Sequence, residues 1–204
     1  MNYIELNNQV IIRDENGKYQ LNKDKEALKS YLEDYIEPKM KKFDNLNDRL
    51  NYLVENDYYS KEILDLYDQY VIDVIYDFIR AKNFKFQSYM SASKFYQNYA
   101  LKSNDGEEIL ENYEDKVLIV ALTLGNGEPK LAKDIAEKLI NQEFQPATPT
   151  FLNAGRARGG KMVSCFLVNV EDSCEGISYA VSSANHLSKI GGGVALNLTR
   201  LRAS

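Results

Sequence analysis

Met162-Val163-Ser164-Cys165-Phe166-Leu167-Val168-Asn169-Val170 is the stretch whose reading decides the fold. It is apolar, rich in valine and free of charge, which is the pattern of a strand buried on both faces. Asp172-Ser173-Cys174-Glu175 follows with the spacing of a helix capping box, and Asp172 takes the cap position. Ile177, Ala180, Val181, Ala184, Leu187 and Ile190 then recur on one helical face. Gly191–Gly193 ends that helix, and Val194–Leu198 reads as a second strand. Strand, helix, strand at this spacing is a βαβ unit with parallel strands and a right-handed crossover. A single unit leaves two open sheet edges. The segment therefore reads as the start of an α/β domain, and a site begun in it is expected to need residues beyond Ser204.

Upstream, residues 1–145 read as a mostly helical domain, with the α/β segment occupying 146–204. Gln9–Arg13 and Lys18–Leu21 flank Glu15-Asn16-Gly17, and Asn-Gly predicts a short hairpin across 9–21. Leu28, Tyr31, Leu32, Tyr35 and Ile36 have helical spacing, with Pro38 near the helix end. Further stripes are Leu46, Leu50 and Leu53, then Ile72, Ile75 and Ile79. A long stripe runs through Ile109, Leu110, Tyr113, Val117, Val120, Ala121 and Leu124 and is closed by Gly125-Asn126-Gly127. Leu131, Ile135 and Leu139 mark a last helix before Asn141. The 15 tyrosines are spread through these stripes, and packing between helices is their expected role. No internal repeat or low-complexity tract interrupts the pattern.

Composition narrows the function classes. A formal charge of −5 argues against a broad surface for nucleic acid. No apolar run is long enough to span a bilayer, and Met1-Asn2-Tyr3-Ile4-Glu5 does not open a secretory signal. Two cysteines and one histidine do not make a disulfide framework or a structural zinc site, so a reduced, cytoplasmic setting without bound metal is expected.

Several residues allow a structural and a functional reading. A lone cysteine such as Cys165 is more often an inert small apolar residue than a reactive thiol. Its neighbours change that balance, because Thr148-Pro149-Thr150 forms a turn before it and three glycines follow. Ser164 lies on the opposite strand face from Cys165, with its backbone still able to face a ligand. Cys174 reads as structural, and His186 as a surface residue on the helix. Gly191–Gly193 exceeds what a helix C-cap needs and would admit close approach of a ligand. Asp172 is either a cap or an acceptor for sugar hydroxyls. Arg202 is either a solvated charge or, with Arg200, a phosphate partner. Gly155-Arg156-Ala157-Arg158-Gly159-Gly160-Lys161 matches the glycine-lysine spacing of a P-loop. It lacks the following Ser/Thr, and it opens a strand rather than a helix, so it reads as a mobile basic loop.

Together, Phe144-Gln145-Pro146-Ala147-Thr148-Pro149-Thr150-Phe151-Leu152-Asn153-Ala154-Gly155, Val163-Ser164-Cys165-Phe166-Leu167 and Leu187-Ser188-Lys189-Ile190-Gly191-Gly192-Gly193-Val194-Ala195 resemble the large (alpha) subunit of class I ribonucleotide reductase, most like class Ib. The resemblance covers nearly the whole chain and only the first part of the family's usual length. It implies a helical domain followed by the first βαβ of a ten-stranded α/β barrel, with the opening hairpin and helix corresponding to a shortened activity cone. It implies that Thr148, Ser164, Cys165 and Gly193 contact the ribonucleoside diphosphate. Cys165 would be one of two cysteines that supply electrons for removing the 2′-hydroxyl and end as a disulfide. Asp172 and Arg202, with Ser173 and Cys174 beside them, would lie at the allosteric site for nucleoside triphosphates (ATP and deoxynucleotides).

The resemblance also implies several partners. These are the remaining barrel portion, a radical-generating small (beta) subunit carrying a dimanganese or diiron centre, a thioredoxin- or glutaredoxin-like reductant, and a second large subunit in a homodimer. The family's second cysteine, thiyl-radical cysteine, tyrosine relay and C-terminal cysteine pair have no counterpart here, so this chain alone is expected to be inactive. The alternative from another class is a nonenzymatic helical interaction or nucleotide-binding module that retains a barrel fragment.

Overall fold

The structure, a computed structural model, describes residues 2–202. The chain opens with α1 (Tyr3–Gln9), capped by Asn2, whose side chain accepts from the Ile4 and Glu5 amides. The expected hairpin across 9–21 is reduced to a single antiparallel bridge between Arg13 and Tyr19. The physical cause is local. Gln9 is still helical, and the Asp14 carboxylate accepts from the Asn16 and Lys18 amides at 2.9 Å, which closes the turn without longer strands. Next comes α2 (Asn22–Ser30), continuing through a wide turn over Tyr31–Ile36 and a tight one over Glu37–Lys39 that contains Pro38.

The remaining helices are α3 (Leu46–Glu55), α4 (Lys61–Leu64), α5 (Gln69–Ala81), α6 (Tyr89–Asn98), α7 (Tyr113–Gly125), α8 (Pro129–Ile140) and α9 (Thr148–Asn153). Helix α7 is the centre of the helical layer. Val117 through Leu122 are all buried, so it is apolar on nearly every side, as a helix surrounded by others must be. Asn112 caps it, with Asp115 completing the capping box. That cap explains why Ile109 and Leu110 fall outside the helix despite fitting its stripe. Ile109 instead bridges to Met40 and Lys102. At the other end, Asn126 turns left-handed at φ 45°.

Helix α8 differs from its expected stripe by one position. Ala132, Ala136 and Leu139 are buried, whereas Leu131 is exposed. The cause is a close crossing with α7: a Cβ on Gly125 would come within 2.7 Å of the Ala132 Cβ. Small side chains face such a crossing, and a search for large apolar residues passes over them.

Beyond the helical layer, β1 (Cys165–Asn169) and β2 (Gly193–Asn197) pair in parallel, joined by α10 (Cys174–Lys189). This is the expected βαβ unit, with both strands a little shorter than the apolar runs that encode them. Phe166, Val168 and Val194 are half-buried, while Cys165, Leu167 and Asn169 on the alternate face are exposed. On α10 only Ala180 is fully buried. Ile177, Val181 and Ile190, expected to pack, are exposed because two strands cover only part of the helix's apolar face. No helix among the described residues is long and apolar enough to cross a membrane.

The α7–α8 crossing gives the first test. Gly125→Ala forces overpacking against Ala132 and should destabilise the chain by about 1–3 kcal/mol. Urea unfolding followed by helical circular dichroism measures it, and an unchanged midpoint would contradict the crossing.

Candidate functional site

The site is assembled from the end of the helical layer outward. Thr148-Pro149-Thr150, expected as a turn, forms the first turn of α9, where the fixed φ of Pro149 suits a helix start. Phe151 and Ala154 anchor α9 in the helical core, and the Phe151 ring lies edge-on to Tyr99 at 5.5 Å. Two side chains of α9 then hold the approach to β1. Thr150 Oγ1 donates to the Met162 carbonyl and Asn153 Nδ2 to the Lys161 carbonyl, each at 3.1 Å. Thr148 Oγ1 lies 3.3 Å from the Tyr99 hydroxyl.

On the sheet, Cys165 is the register partner of Gly193, and the Gly193 amide donates to the Ser164 carbonyl at 3.0 Å. Ser164, Cys165 and Gly193 therefore meet at one end of the parallel pair, beside the strand approach that α9 holds. The Cys165 thiol is exposed.

The three glycines serve different ends. Gly191 has φ 90°, the left-handed residue that follows a helix. Gly192 packs against the Phe166 ring, which leaves no room for a Cβ. Gly191 and Gly193 both have room around a notional Cβ, and at Gly193 the nearest neighbour, the Ser164 carbonyl, is 3.8 Å away. The three glycines thus answer different needs: backbone conformation at Gly191, packing at Gly192, and room beside Cys165 at Gly193.

Asp172, Ser173, Cys174 and Arg202 lie at the opposite end of the two strands, roughly 13 Å away by strand rise. Ser173, not Asp172, caps α10. Its hydroxyl accepts from the Gly176 amide at 3.0 Å, and its extended backbone at φ −149° is the cap geometry. Asp172 is released from that task and pairs with Arg202 at 3.6 Å, while Glu171 pairs with Arg200 at 2.7 Å. Cys174, expected to be structural, is exposed in the first turn of α10.

Sequence reasoning missed a buried charge cluster behind α9. Glu111, just before the α7 cap, is fully buried. It accepts from the Tyr59 hydroxyl at 2.5 Å and from the Leu101 amide at 2.7 Å. Lys116 Nζ is 3.5 Å and the Arg156 guanidinium 3.7 Å from the same carboxylate. Both cations also donate to the Leu152 carbonyl of α9, Lys116 at 3.3 Å and Arg156 at 2.9 Å. Arg156 reaches the Tyr99 carbonyl as well, at 3.0 Å. Arg156, one of three cations in what read as a mobile basic loop, is therefore a fixed structural cation. Burial lowers the Lys116 pKa to about 8, against the opposing pull of Glu111. Beside this cluster, Asp115 pairs with Arg49 and accepts from the Tyr76 hydroxyl at 2.8 Å. Among the described residues no group of three or more His, Cys, Asp or Glu is placed to hold a metal ion.

Comparison with known proteins agrees with this arrangement along the chain. Residues 3–84 match the model for the ribonucleotide reductase N-terminal region, 85–159 its all-alpha domain, and 163–204 its barrel domain. The chain belongs to the ribonucleotide reductase large-subunit family. It is 53% identical over 201 residues to the ribonucleoside-diphosphate reductase subunit alpha of Bacillus subtilis, covering 98% of this chain and 29% of that protein. It is 52% identical over 202 residues to the NrdEB subunit alpha of Bacillus phage SPbeta, covering 99% of this chain and 18% of that protein. The subunit alpha of Mycoplasma pneumoniae is 44% identical over 181 residues, covering 89% and 25%. The chain thus spans less than a third of the length of these reductase subunits, and what it shares with them is the helical layer and the first βαβ of the barrel.

The buried cluster gives two tests. Glu111→Ala leaves Lys116 and Arg156 facing a buried gap and should cost about 3–5 kcal/mol in urea unfolding. The pH dependence carries a second signature. The folded pKa of Lys116, about 8, lies below its usual 10.5, so the unfolded chain binds more protons between those values and stability rises with pH there. Burial raises the pKa of Tyr59, Tyr76 and Tyr96, so stability falls once unfolded-chain tyrosines ionise above about 10. Lys116→Met should flatten the rise above pH 8 and leave the alkaline fall intact. A rise that persists in the variant would assign it to another group.

Proposed function

We propose that this chain supplies the helical domain and the first barrel unit of a ribonucleoside-diphosphate reductase large subunit, most like class Ib, with the domains meeting at 145/146. The observation that carries the reading is the pairing of Cys165 with Gly193 at the strand end next to the approach that Thr150 and Asn153 of α9 hold. An exposed thiol, a glycine with free space and backbone groups on adjacent strands suit a ribose held against a reductant without competing redox groups.

In this reading Thr148, Ser164 and Gly193 contact the ribonucleoside diphosphate, and Cys165 is half of a dithiol. A radical at the 3′ carbon, started by other residues of the full subunit, labilises the 2′-hydroxyl. The two thiols supply two electrons and two protons: the 2′-hydroxyl leaves as water, the 2′ carbon gains hydrogen, and the sulfurs join as a disulfide. A thioredoxin- or glutaredoxin-like dithiol then restores them. The second cysteine and the radical-bearing residues would come from the remaining barrel, and a dimanganese or diiron centre in the small subunit would supply the radical.

At the far strand end, Asp172 and Arg202 with Ser173 and Cys174 form an effector site for a nucleoside triphosphate in the dimeric large subunit. The Asp172–Arg202 pair is exposed and exposed pairs contribute little, so a ligand can separate it at small cost. The setting is the cytoplasm, and the pathway is deoxyribonucleotide synthesis for DNA replication.

Co-expression with a barrel remainder, followed by assay with the radical subunit, a dithiol and a ribonucleoside diphosphate, tests the reading. Deoxynucleotide should form in the complemented protein, should be absent with the 204-residue chain alone, and should be abolished by Cys165→Ser. Turnover that survives Cys165→Ser overturns the assignment. Failure of every complemented form favours a nonenzymatic helical interaction or nucleotide-binding module.

A further inference from the structure

We propose that Tyr99 is a positioning residue that donates its phenolic proton to the Thr148 hydroxyl and thereby leaves the Thr148 proton free for an oxygen of the ribonucleoside diphosphate. This rests on the reading of Thr148 as a substrate contact. Tyr99 Oη and Thr148 Oγ1 are 3.3 Å apart, a contact in which either atom can donate.

Chemistry selects the direction. A threonine hydroxyl has one proton and two lone pairs. A phenol is by its chemistry a far stronger acid than an aliphatic alcohol and is the better donor. With the phenol donating, Thr148 accepts inward and donates outward. In the opposite sense its only proton would be spent on Tyr99, and the outer face of Thr148 would offer a substrate oxygen only lone pairs.

Tyr99 is suited to this role because it is held on several sides. Its amide donates to the Phe95 carbonyl at 2.9 Å, its carbonyl accepts from Arg156 at 3.0 Å, and its ring meets Phe151 edge-on. Arg156 is itself fixed by Glu111 and by the Leu152 carbonyl. The phenol and α9, which carries Thr148, are thus referenced to the same buried carboxylate. Thr148 itself is exposed at the start of α9, so its outer side is open to a ligand.

The geometry is tested first on this chain, by measuring the Thr148 side-chain rotamer through three-bond NMR couplings with threonine methyl labelling. One rotamer is expected in the wild type and averaging in Tyr99→Phe, which keeps the ring contact with Phe151. A single unchanged rotamer in Tyr99→Phe overturns the proposal. The second arm uses the complemented reductase. Tyr99→Phe should raise KM for the ribonucleoside diphosphate about 3- to 10-fold, the equivalent of one neutral hydrogen bond. It should leave kcat within about twofold. In a Thr148→Val background the same change should have no further effect. An equal KM rise in both backgrounds, or a fall in kcat at constant KM, overturns it. Absence of turnover in the wild-type complemented protein counts against the reductase reading, and the rotamer measurement still decides whether Tyr99 sets the hydroxyl.

Discussion

The buried carboxylate of Glu111 is the constraint on which the rest of this structure depends. A charge without solvent is costly unless its lone pairs and its field are both answered. Glu111 is answered by a phenol, a backbone amide and two cations drawn from separate parts of the chain. Tyr59 comes from the segment after α3, Leu101 from the loop after α6, Lys116 from α7 and Arg156 from the loop after α9. The carboxylate is satisfied only where these four segments meet as they do here, so losing any one of them leaves buried charge or a buried polar group unanswered.

The consequence reaches the candidate site by short steps. The cations that neutralise Glu111 also hold the Leu152 carbonyl, and so fix α9 against the helical core. Helix α9 in turn holds the Lys161 and Met162 carbonyls immediately before β1. A strand with few neighbours of its own is thus placed by hydrogen bonds from a well-packed layer. The exposed Leu167, the open apolar face of α10 and the exposed Cys165 belong to this peripheral unit, whereas nearly all of the buried apolar residues lie in the helical layer.

Much of this was legible in the residues. A continuous apolar run and helical patterns located the βαβ unit and the stripes of α3 and α5, and glycine signals marked the ends of α7 and α10. The misses have specific causes. On α8 the buried row runs through alanines, because a close helix crossing selects small residues that apolar periodicity discounts. At α10, Asp172 and Ser173 are both competent caps at adjacent positions, and Ser173 has the extended backbone and the bond to the Gly176 amide. The run of glycines suggested ligand space, but Gly192 is required by the Phe166 ring. Glu111 and Lys116 were passed over as interruptions beside an apolar stripe, and Tyr99 as one tyrosine among many.

By itself, the sequence determined the class of each main segment, the parallel βαβ and, through the motifs around Thr148, Cys165 and Gly191–Gly193, the resemblance to ribonucleotide reductase. Those properties are local: propensity, periodicity and caps act within a few residues, and a motif is contiguous by definition. Only the tertiary structure decided that Glu111, Lys116 and Arg156 form one buried cluster, that Tyr99 meets Thr148, and that the Cys165 and Asp172 groups sit at opposite strand ends. These depend on contacts between residues far apart in the chain. Such contacts are set by how charge and volume are satisfied in three dimensions, which no single segment encodes.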